Sequence, residues 1–295
     1  MDFIAQSSSL NSADDVFTLL DGNTIPCVGF GTWKVFDDAQ GSDIIQEAIV
    51  VGYRHFDAAA FYHSEKSIGT AIKASGLPRT DFFITSKVWK DDLSPRAARA
   101  SLEHSLSDLQ TDYVDLLLIH WPKASSADAN WQDKLAETWN AFQDFKREGK
   151  VKSIGVANFL PHHFAALSGE KPVIDQIEFH VGYLQAEACA YCRREGILVE
   201  GWAALGRAAL LNHPKVCELA SKNGVTTAQL CLRFCLQEGV LPLVKSAHGA
   251  RMRANRELFN FSLSNEDMAT LRALPQIAWS GEHPDTAIPL DPAKQ

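Results

Sequence analysis

The feature that most constrains this chain is an alternation. Short apolar runs, each the length of a strand, are followed by amphipathic helical stretches, and the unit recurs eight times. The strands are read at Cys27 to Gly31, Tyr53 to Asp57, Phe82 to Lys87, Val114 to His120, Ser153 to Val156, Val173 to Glu178, Leu198 to Ala203 and Leu241 to Val244. Helices are read at Ser42 to Val51, Glu65 to Ser75, after Ser94-Pro95, Trp131 to Arg147, around Pro161 to Leu167, and Gln185 to Glu195. Pro214 to Lys222, Thr226 to Gln237, His248 to Asn255 and Asn265 to Leu274 complete the set. Ser94 before Pro95 is an N-cap followed by proline at the first helical position. Regular β/α alternation implies a parallel sheet, and eight units in 295 residues favour closure into a (β/α)8 barrel. Two helical segments exceed the one-per-strand pattern. Asp21-Gly22 between Phe17 to Leu20 and Thr24 to Ile25 predicts an N-terminal β-hairpin.

No Pro-, Gly- or Ser-rich linker interrupts the chain, so residues 1–295 read as one barrel domain. Residues 1–15 read as a loose polar leader, and residues 277–295 as a loop near one barrel mouth. With 46% hydrophobic and 22% charged residues, a large core is expected and wholesale disorder is not. A net charge of -8 argues against general binding of nucleic acid or anionic membrane, so any bound phosphate needs a local basic patch. There is neither an apolar run long enough to span a bilayer nor the pattern of a signal peptide. The expectation is a cytoplasmic monomer with reduced cysteines. Cys189-x-x-Cys192 lies in a helical pattern, and no second pair or suitably spaced histidines complete a metal site.

Active sites of such barrels lie at the C-terminal ends of the strands. There the sequence offers Asp57, Lys87 and His120 on three consecutive strands, then Asn158, Gln176, Trp202 and Lys245, with Tyr62 five residues after Asp57. A phenol with an ordinary pKa of about 10 is a poor proton donor near neutrality. A lysine ammonium beside it would stabilise the phenolate and lower that value, and Asp57 would neutralise the buried lysine. His120 could orient a carbonyl or relay the proton. The set suits delivery of a proton to a carbonyl oxygen.

The segments Gly29-Phe-Gly-Thr-Trp33, His55-Phe-Asp-Ala-Ala-Ala-Phe-Tyr62, Ser86-Lys-Val-Trp89, Leu118-Ile-His-Trp-Pro122 and Gly155-Val-Ala-Asn-Phe159 resemble the aldo-keto reductase family, in its prokaryotic, diketogulonate-reductase-like branch. The similarity runs from about Phe17 to Leu274 and keeps the family's motif order. It implies an NADPH-dependent oxidoreductase that reduces aldehydes or ketones, with Asp57, Tyr62, Lys87 and His120 as the catalytic four and Tyr62 as general acid. The complete Rossmann fingerprint G-x-G-x-x-G is missing, which agrees with the family's use of the barrel itself to bind NADPH/NADP+. By the resemblance, Asn158 and Gln176 bond the nicotinamide carboxamide and Trp202 stacks on its ring. Gly31, Thr32, Trp33, Asp57 and Leu205 join the cofactor site; Arg207, apart from the family pattern, is a candidate to reach the pyrophosphate and compensate for hydroxyls this chain lacks at Ala157 and Ala203. Lys245, Ser246 and Arg251 clamp the adenosine 2′-phosphate, with Asn255 facing the adenine. Trp33, Phe61, Trp89, His120 and Trp121 form an aromatic substrate pocket.

The chain departs from the family pattern at Ala58, Ala157, Ala203-Ala204, Val181 and Val244. Two of these changes, at Ala157 and Ala203, remove hydroxyls that each could hold the cofactor with about 0.5–1.5 kcal/mol. The alternative function is an NADP(H)-binding regulatory or redox-sensing subunit with little turnover. A metal-dependent hydrolase is a third reading, but the sequence offers it only the adjacent pair His162-His163 at a helix start.

Overall fold

The computed structural model describes residues 1–287. The chain begins with α1 (Phe3–Ser9) and the hairpin β1 (Val16–Thr18) and β2 (Thr24–Pro26). It continues through β3 (Gly29–Gly31), α2 (Ala39–Val51), β4 (His55–Asp57), α3 (Glu65–Ser75), β5 (Phe83–Val88) and α4 (Pro95–Leu109). Then come β6 (Val114–Ile119), α5 (Trp131–Arg147), β7 (Val151–Ala157), β8 (Ile174–Glu178), α6 (Ala186–Glu195) and β9 (Leu198–Trp202). The described elements end with α7 (Pro214–Lys222), α8 (Thr227–Gln237), β10 (Val240–Val244), α9 (Gly249–Ala254) and α10 (Asn265–Arg272). Strands β3 to β10 close a barrel in chain order, with β10 returning to pair parallel with β3. The alternation read from the sequence is therefore a (β/α)8 barrel with an N-terminal hairpin.

Local chemistry sets the boundaries. Strand β6 is buried on both faces, so it reads as an apolar run. Its single acid, Asp115, is held by Arg79 at 2.7 Å, Lys152 at 3.0 Å and the Ile84 amide at 2.9 Å. Ser94 caps α4 through the Ala97 amide, and Thr226 with Gln229 forms a capping box on α8. Inside the barrel, Gly29 is required by close approach. A Cβ there would overlap Leu243 and lie 2.6 Å from His55 Nδ1.

Two expectations are corrected. The stretch 1–15 is not a loose leader: Asp2 caps α1 through the Ile4 and Ala5 amides, and Phe3 is buried edge-on against Phe17. Ser7 donates to the Leu236 carbonyl of α8, and Gln6 exchanges two hydrogen bonds with the Thr18 backbone. The hairpin it supports covers the barrel end opposite the expected site, where Asn23 reaches Ser153 near the start of β7 at 2.9 Å. The α-helix expected around Pro161 to Leu167 is a single 3-10 turn, His163–Ala166. His163 Nδ1 accepts the Leu160 amide, and Gly169 at φ 84° reverses the chain too soon for a helix to extend.

Residues 277–287 lie against the loops at the C-terminal ends of the strands, and residues 288–295 of the expected C-terminal loop fall outside the described residues. Among the described residues no helix is long and apolar enough to cross a membrane. All six cysteines are free thiols, with Cys192 buried 3.8 Å from Asp175 Oδ2.

Because Phe3 packs α1 against Phe17 of the hairpin, Phe3→Ala removes a buried aromatic ring and is expected to cost about 3 kcal/mol. Urea denaturation of the two proteins, compared at equal slope, measures that difference.

Candidate active site

Strand periodicity builds the site. Side chains two apart on a strand share a face, so His55 and Asp57 of β4, and Thr85 and Lys87 of β5, point together into the barrel. Lys87 is buried and donates to Asp57 Oδ1 at 2.6 Å and to the Ala58 carbonyl at 2.8 Å. Asp57 also accepts Gln176 Nε2 at 2.8 Å. The pair is thus desolvated but satisfied, the condition under which a buried ion pair is tolerated.

Tyr62 closes the 3-10 turn Ala60–Tyr62, and His63 at φ 52° ends it. This half-buried phenol faces His120, Oη to Nε2 at 3.4 Å. Lys87 Nζ lies 4.7 Å from the centre of the Tyr62 ring, over its face. The expected lowering of the phenol pKa is not found. Burial first, then the charges of Asp57, Glu282 and Glu200, push Tyr62 well above its ordinary value. The reason is geometric: the ammonium is engaged by Asp57 and Ala58, not by the phenol oxygen. His120 is held well below its ordinary value by burial and by Lys87, so its ring is neutral, and its Nδ1 has no partner among the described residues.

Asn158 follows β7 in the left-handed region, φ 61°. Its Nδ2 donates to the His120 carbonyl and its Oδ1 accepts the indole N–H of Trp202, both at 2.9 Å. Ala203 beside Trp202 is also left-handed, φ 54°, as are Lys34, Arg207 and Ala208. Backbone strain of this kind costs roughly 1–3 kcal/mol per residue and clusters at sites that need a fixed shape. Trp33, Phe61 and Trp89 form a ladder of parallel rings, with centroids 5.9 Å and 3.6 Å apart and planes within 4° and 7°. The outermost, Trp33, is 42% exposed. The last ring meets His120 edge-on at 5.0 Å. Trp121, Asn158, Glu178 and Trp202 line a small cleft, closed on one side by Glu282 and Pro284.

The basic run of the sequence divides in two. Arg251 Nε donates to Ser246 Oγ at 3.3 Å, and Lys245 Nζ reaches the Lys34 carbonyl at 3.5 Å; Asn255 is buried and its backbone amide donates to the Arg251 carbonyl. Burial and the neighbouring Lys34 charge lower the Lys245 pKa. Arg253 and Arg256 are instead tied to Glu47 and Asp14. Gly31 has open space where a side chain would begin. Thr32, expected in the cofactor site, lies next to Asp57. It is buried, and both its amide and its hydroxyl donate to the Asp57 carbonyl, so it braces that residue. Leu205 precedes a kinked 3-10 segment, Gly206–Asn212. Arg207 is paired with Glu282 at 3.0 Å, its guanidinium 5.8 Å from the Trp202 ring centre.

The C-terminal segment is fixed over this mouth at three points. Ser280 gives its amide and hydroxyl to Glu178, Glu282 pairs with Arg207, and Asp285 accepts Lys123 at 2.6 Å with His163 at 3.2 Å and His162 at 3.3 Å. The Leu160 amide on His163 Nδ1 leaves the proton on Nε2, so His163 donates to Asp285.

The sequence reading missed Glu200, His55, Glu178 and Glu282. Glu200 lies two residues before Trp202 and therefore on the same inward face, a signal that an otherwise apolar strand hid.

A closed parallel barrel with an ion pair, a phenol and a neutral imidazole gathered at its C-terminal mouth is the frame of a barrel enzyme. A family model described as the aldo/keto reductase family matches residues 27–276. Glyoxal reductase of Bacillus subtilis (strain 168) is 38% identical over 280 residues, 94% of this chain and 99% of that protein. Methylglyoxal reductase DkgA of Escherichia coli (strain K12) is 35% identical over 275 residues, 92% of this chain and 97% of that protein. A solved aldo/keto reductase from Brucella melitensis superposes with a TM-score of 0.82 at 38% identity, covering 88% of this chain and 98% of that one. A solved aldo-keto reductase in complex with NADPH superposes with a TM-score of 0.83 at 31% identity, covering 92% and 91%. This chain belongs to the aldo/keto reductase family. It is an oxidoreductase that acts on carbonyl and alcohol groups.

Because Lys87 is the counter-ion of a buried carboxylate, Lys87→Met is expected to destabilise the fold by about 3–5 kcal/mol. The double variant Asp57→Asn with Lys87→Met should recover much of the loss in denaturant titrations.

Proposed function

We propose that this protein reduces an aldehyde or ketone to the alcohol with NADPH, and that Tyr62 delivers the proton. The observation that carries this reading is the pairing of Tyr62 Oη with His120 Nε2 at 3.4 Å above the buried Lys87–Asp57 pair. The residues at the mouth fit a nicotinamide dinucleotide. Gly31 leaves room for close approach, Trp202 offers a half-buried aromatic face, and Lys245 with Arg251 and Ser246 forms a cationic pocket suited to a phosphate. Asn158 and Gln176 would take the carboxamide, and Asn255 the adenine. Trp33, Leu205 and Arg207 would lie along the remainder, with Arg207 released from Glu282. When bound, the reduced nicotinamide supplies a hydride.

The protein's own groups handle the proton. Burial keeps the Tyr62 O–H intact until a carbonyl oxygen enters between it and the neutral His120, which orients that oxygen by hydrogen bond. Lys87 Nζ, 4.7 Å from the centre of the Tyr62 ring, would stand as a cation beside the phenolate left behind, its charge largely offset by Asp57. Trp33, Phe61, Trp89 and Trp121 would hold the apolar part of the substrate. The names of the relatives, glyoxal and methylglyoxal reductase, point to small aldehydes carrying a second carbonyl. The acidic groups Glu178 and Glu282 on the cavity wall disfavour anionic substrates.

NADPH oxidation with glyoxal, methylglyoxal and a set of aromatic aldehydes and ketones tests the activity. Absence of turnover by wild type, with NADPH bound, would favour the regulatory alternative. Tyr62→Phe is expected to lower kcat about a thousandfold while NADPH affinity is kept. Unchanged turnover would remove Tyr62 from its role. Arg251→Ala is expected to raise KM for NADPH about tenfold and leave KM for NADH nearly unchanged. An equal effect on the two would remove the 2′-phosphate assignment.

A further inference from the structure

Below the mouth this barrel is polar, where barrels of its class are filled mostly by branched aliphatic side chains. Glu200 of β9 is fully buried and stands in register opposite Gln176 of β8. Gln176 Nε2 donates to Asp57 Oδ1 at 2.8 Å and to Glu200 Oε2 at 2.6 Å. A primary amide nitrogen has two hydrogens, and here each meets a carboxyl oxygen. That fixes the orientation of the amide. Its Oε1 accepts no hydrogen bond among the described residues, and so is the end left to bind a ligand. Without the Glu200 acceptor, nothing holds the second hydrogen, and the amide is free to turn over.

We propose that Glu200 is a positioning residue for the reduction: through Gln176 it sets which end of that amide meets the nicotinamide carboxamide, and it steadies the Asp57 carboxylate beneath Lys87. The proposal rests on the reading of Gln176 as a carboxamide partner.

The charge on Glu200 adds a second effect. It faces His55 and Asp57 of β4 and Lys87 of β5, with Tyr62 above. Lys87 and Asp57 cancel. His55, whose Nε2 lies 3.5 Å from Glu200 Oε1, is kept neutral by burial and by Lys87, its pKa lowered to about 3. Burial first, then the Asp57 charge, pushes Glu200 up to about 8. Near neutral pH the cluster therefore carries no net charge. Ionisation of Glu200 at higher pH adds a negative charge that raises the Tyr62 pKa further, so the phenol becomes a weaker proton donor. The rate of reduction falls as pH rises through that value.

Two variants separate the effects. Glu200→Leu removes the acceptor and leaves an apolar side chain of the kind such cores tolerate. Glu200→Gln keeps an acceptor for Gln176 and cannot ionise. Each is titrated with NADPH by quenching of tryptophan fluorescence, and kcat is measured from about pH 6 to about pH 10. The expected result is about tenfold weaker NADPH binding by Glu200→Leu. Glu200→Gln should bind as wild type near pH 7 and lose the decline of kcat above about pH 8. Equal affinity in Glu200→Leu and wild type, with an unchanged profile in Glu200→Gln, overturns the proposal alone. A wild type that does not bind NADPH overturns the cofactor reading beneath it. If Glu200→Leu does not fold, the pH profile of Glu200→Gln decides.

Discussion

The structure of the site depends on keeping one ammonium out of water. Isolated, the Lys87 charge would be driven to give up its proton or to pull the barrel open. Asp57 and the Ala58 carbonyl prevent both, and they in turn must be held. Thr32 holds Asp57 from the backbone side and Gln176 from the carboxylate side. Each brace comes from a different strand or loop, so the chemistry at the mouth is inseparable from barrel closure. The barrel surrounds the pair with hydrogen-bonding groups whose directions were fixed when the strands paired.

Much of this was legible in the sequence because periodicity is a strong signal. The alternation of apolar strands with amphipathic helices gave the barrel, and α3, α5 and α7 match the sequence reading at both ends. Polar residues at strand ends gave Asp57, Lys87 and His120, because an apolar run that stops at a charged residue marks where the core meets the mouth. What was not legible had physical causes. Helix α1 is short and Ser-rich, and it is held by tertiary contacts from Phe3 and Ser7 that no local pattern announces. The turn after β7 has a helical composition but too few residues before Gly169. Arg253 and Arg256 belong to the same basic run as Lys245 and Arg251, and only the fold turns them toward Glu47 and Asp14. The Lys87 ammonium lies near the phenol ring as the chemistry suggested, yet which oxygen it bonds was decided by side-chain length and by Asp57.

The shape of the mouth is maintained against local backbone preference. Non-glycine residues in left-handed geometry, Lys34, Asn158, Ala203 and Arg207 among them, sit where loops leave the strands. Each is locally unfavourable, and the hydrogen bonds of Asn158 to His120 and Trp202 are the kind of contact that compensates. Rigidity here is useful because a proton donor and its orienting imidazole must stay aligned while substrate enters.

The three anchors of the C-terminal segment sit at residues 280, 282 and 285, and they meet partners at the end of one strand and on loops that follow three others. Such a segment works as a ruler. Its amino acids between anchors are free to vary, but its length is not, since one residue inserted or deleted would put at most part of the set back in register. Divergence in this stretch should proceed by exchange of side chains, whereas loops elsewhere on the barrel accept changes in length.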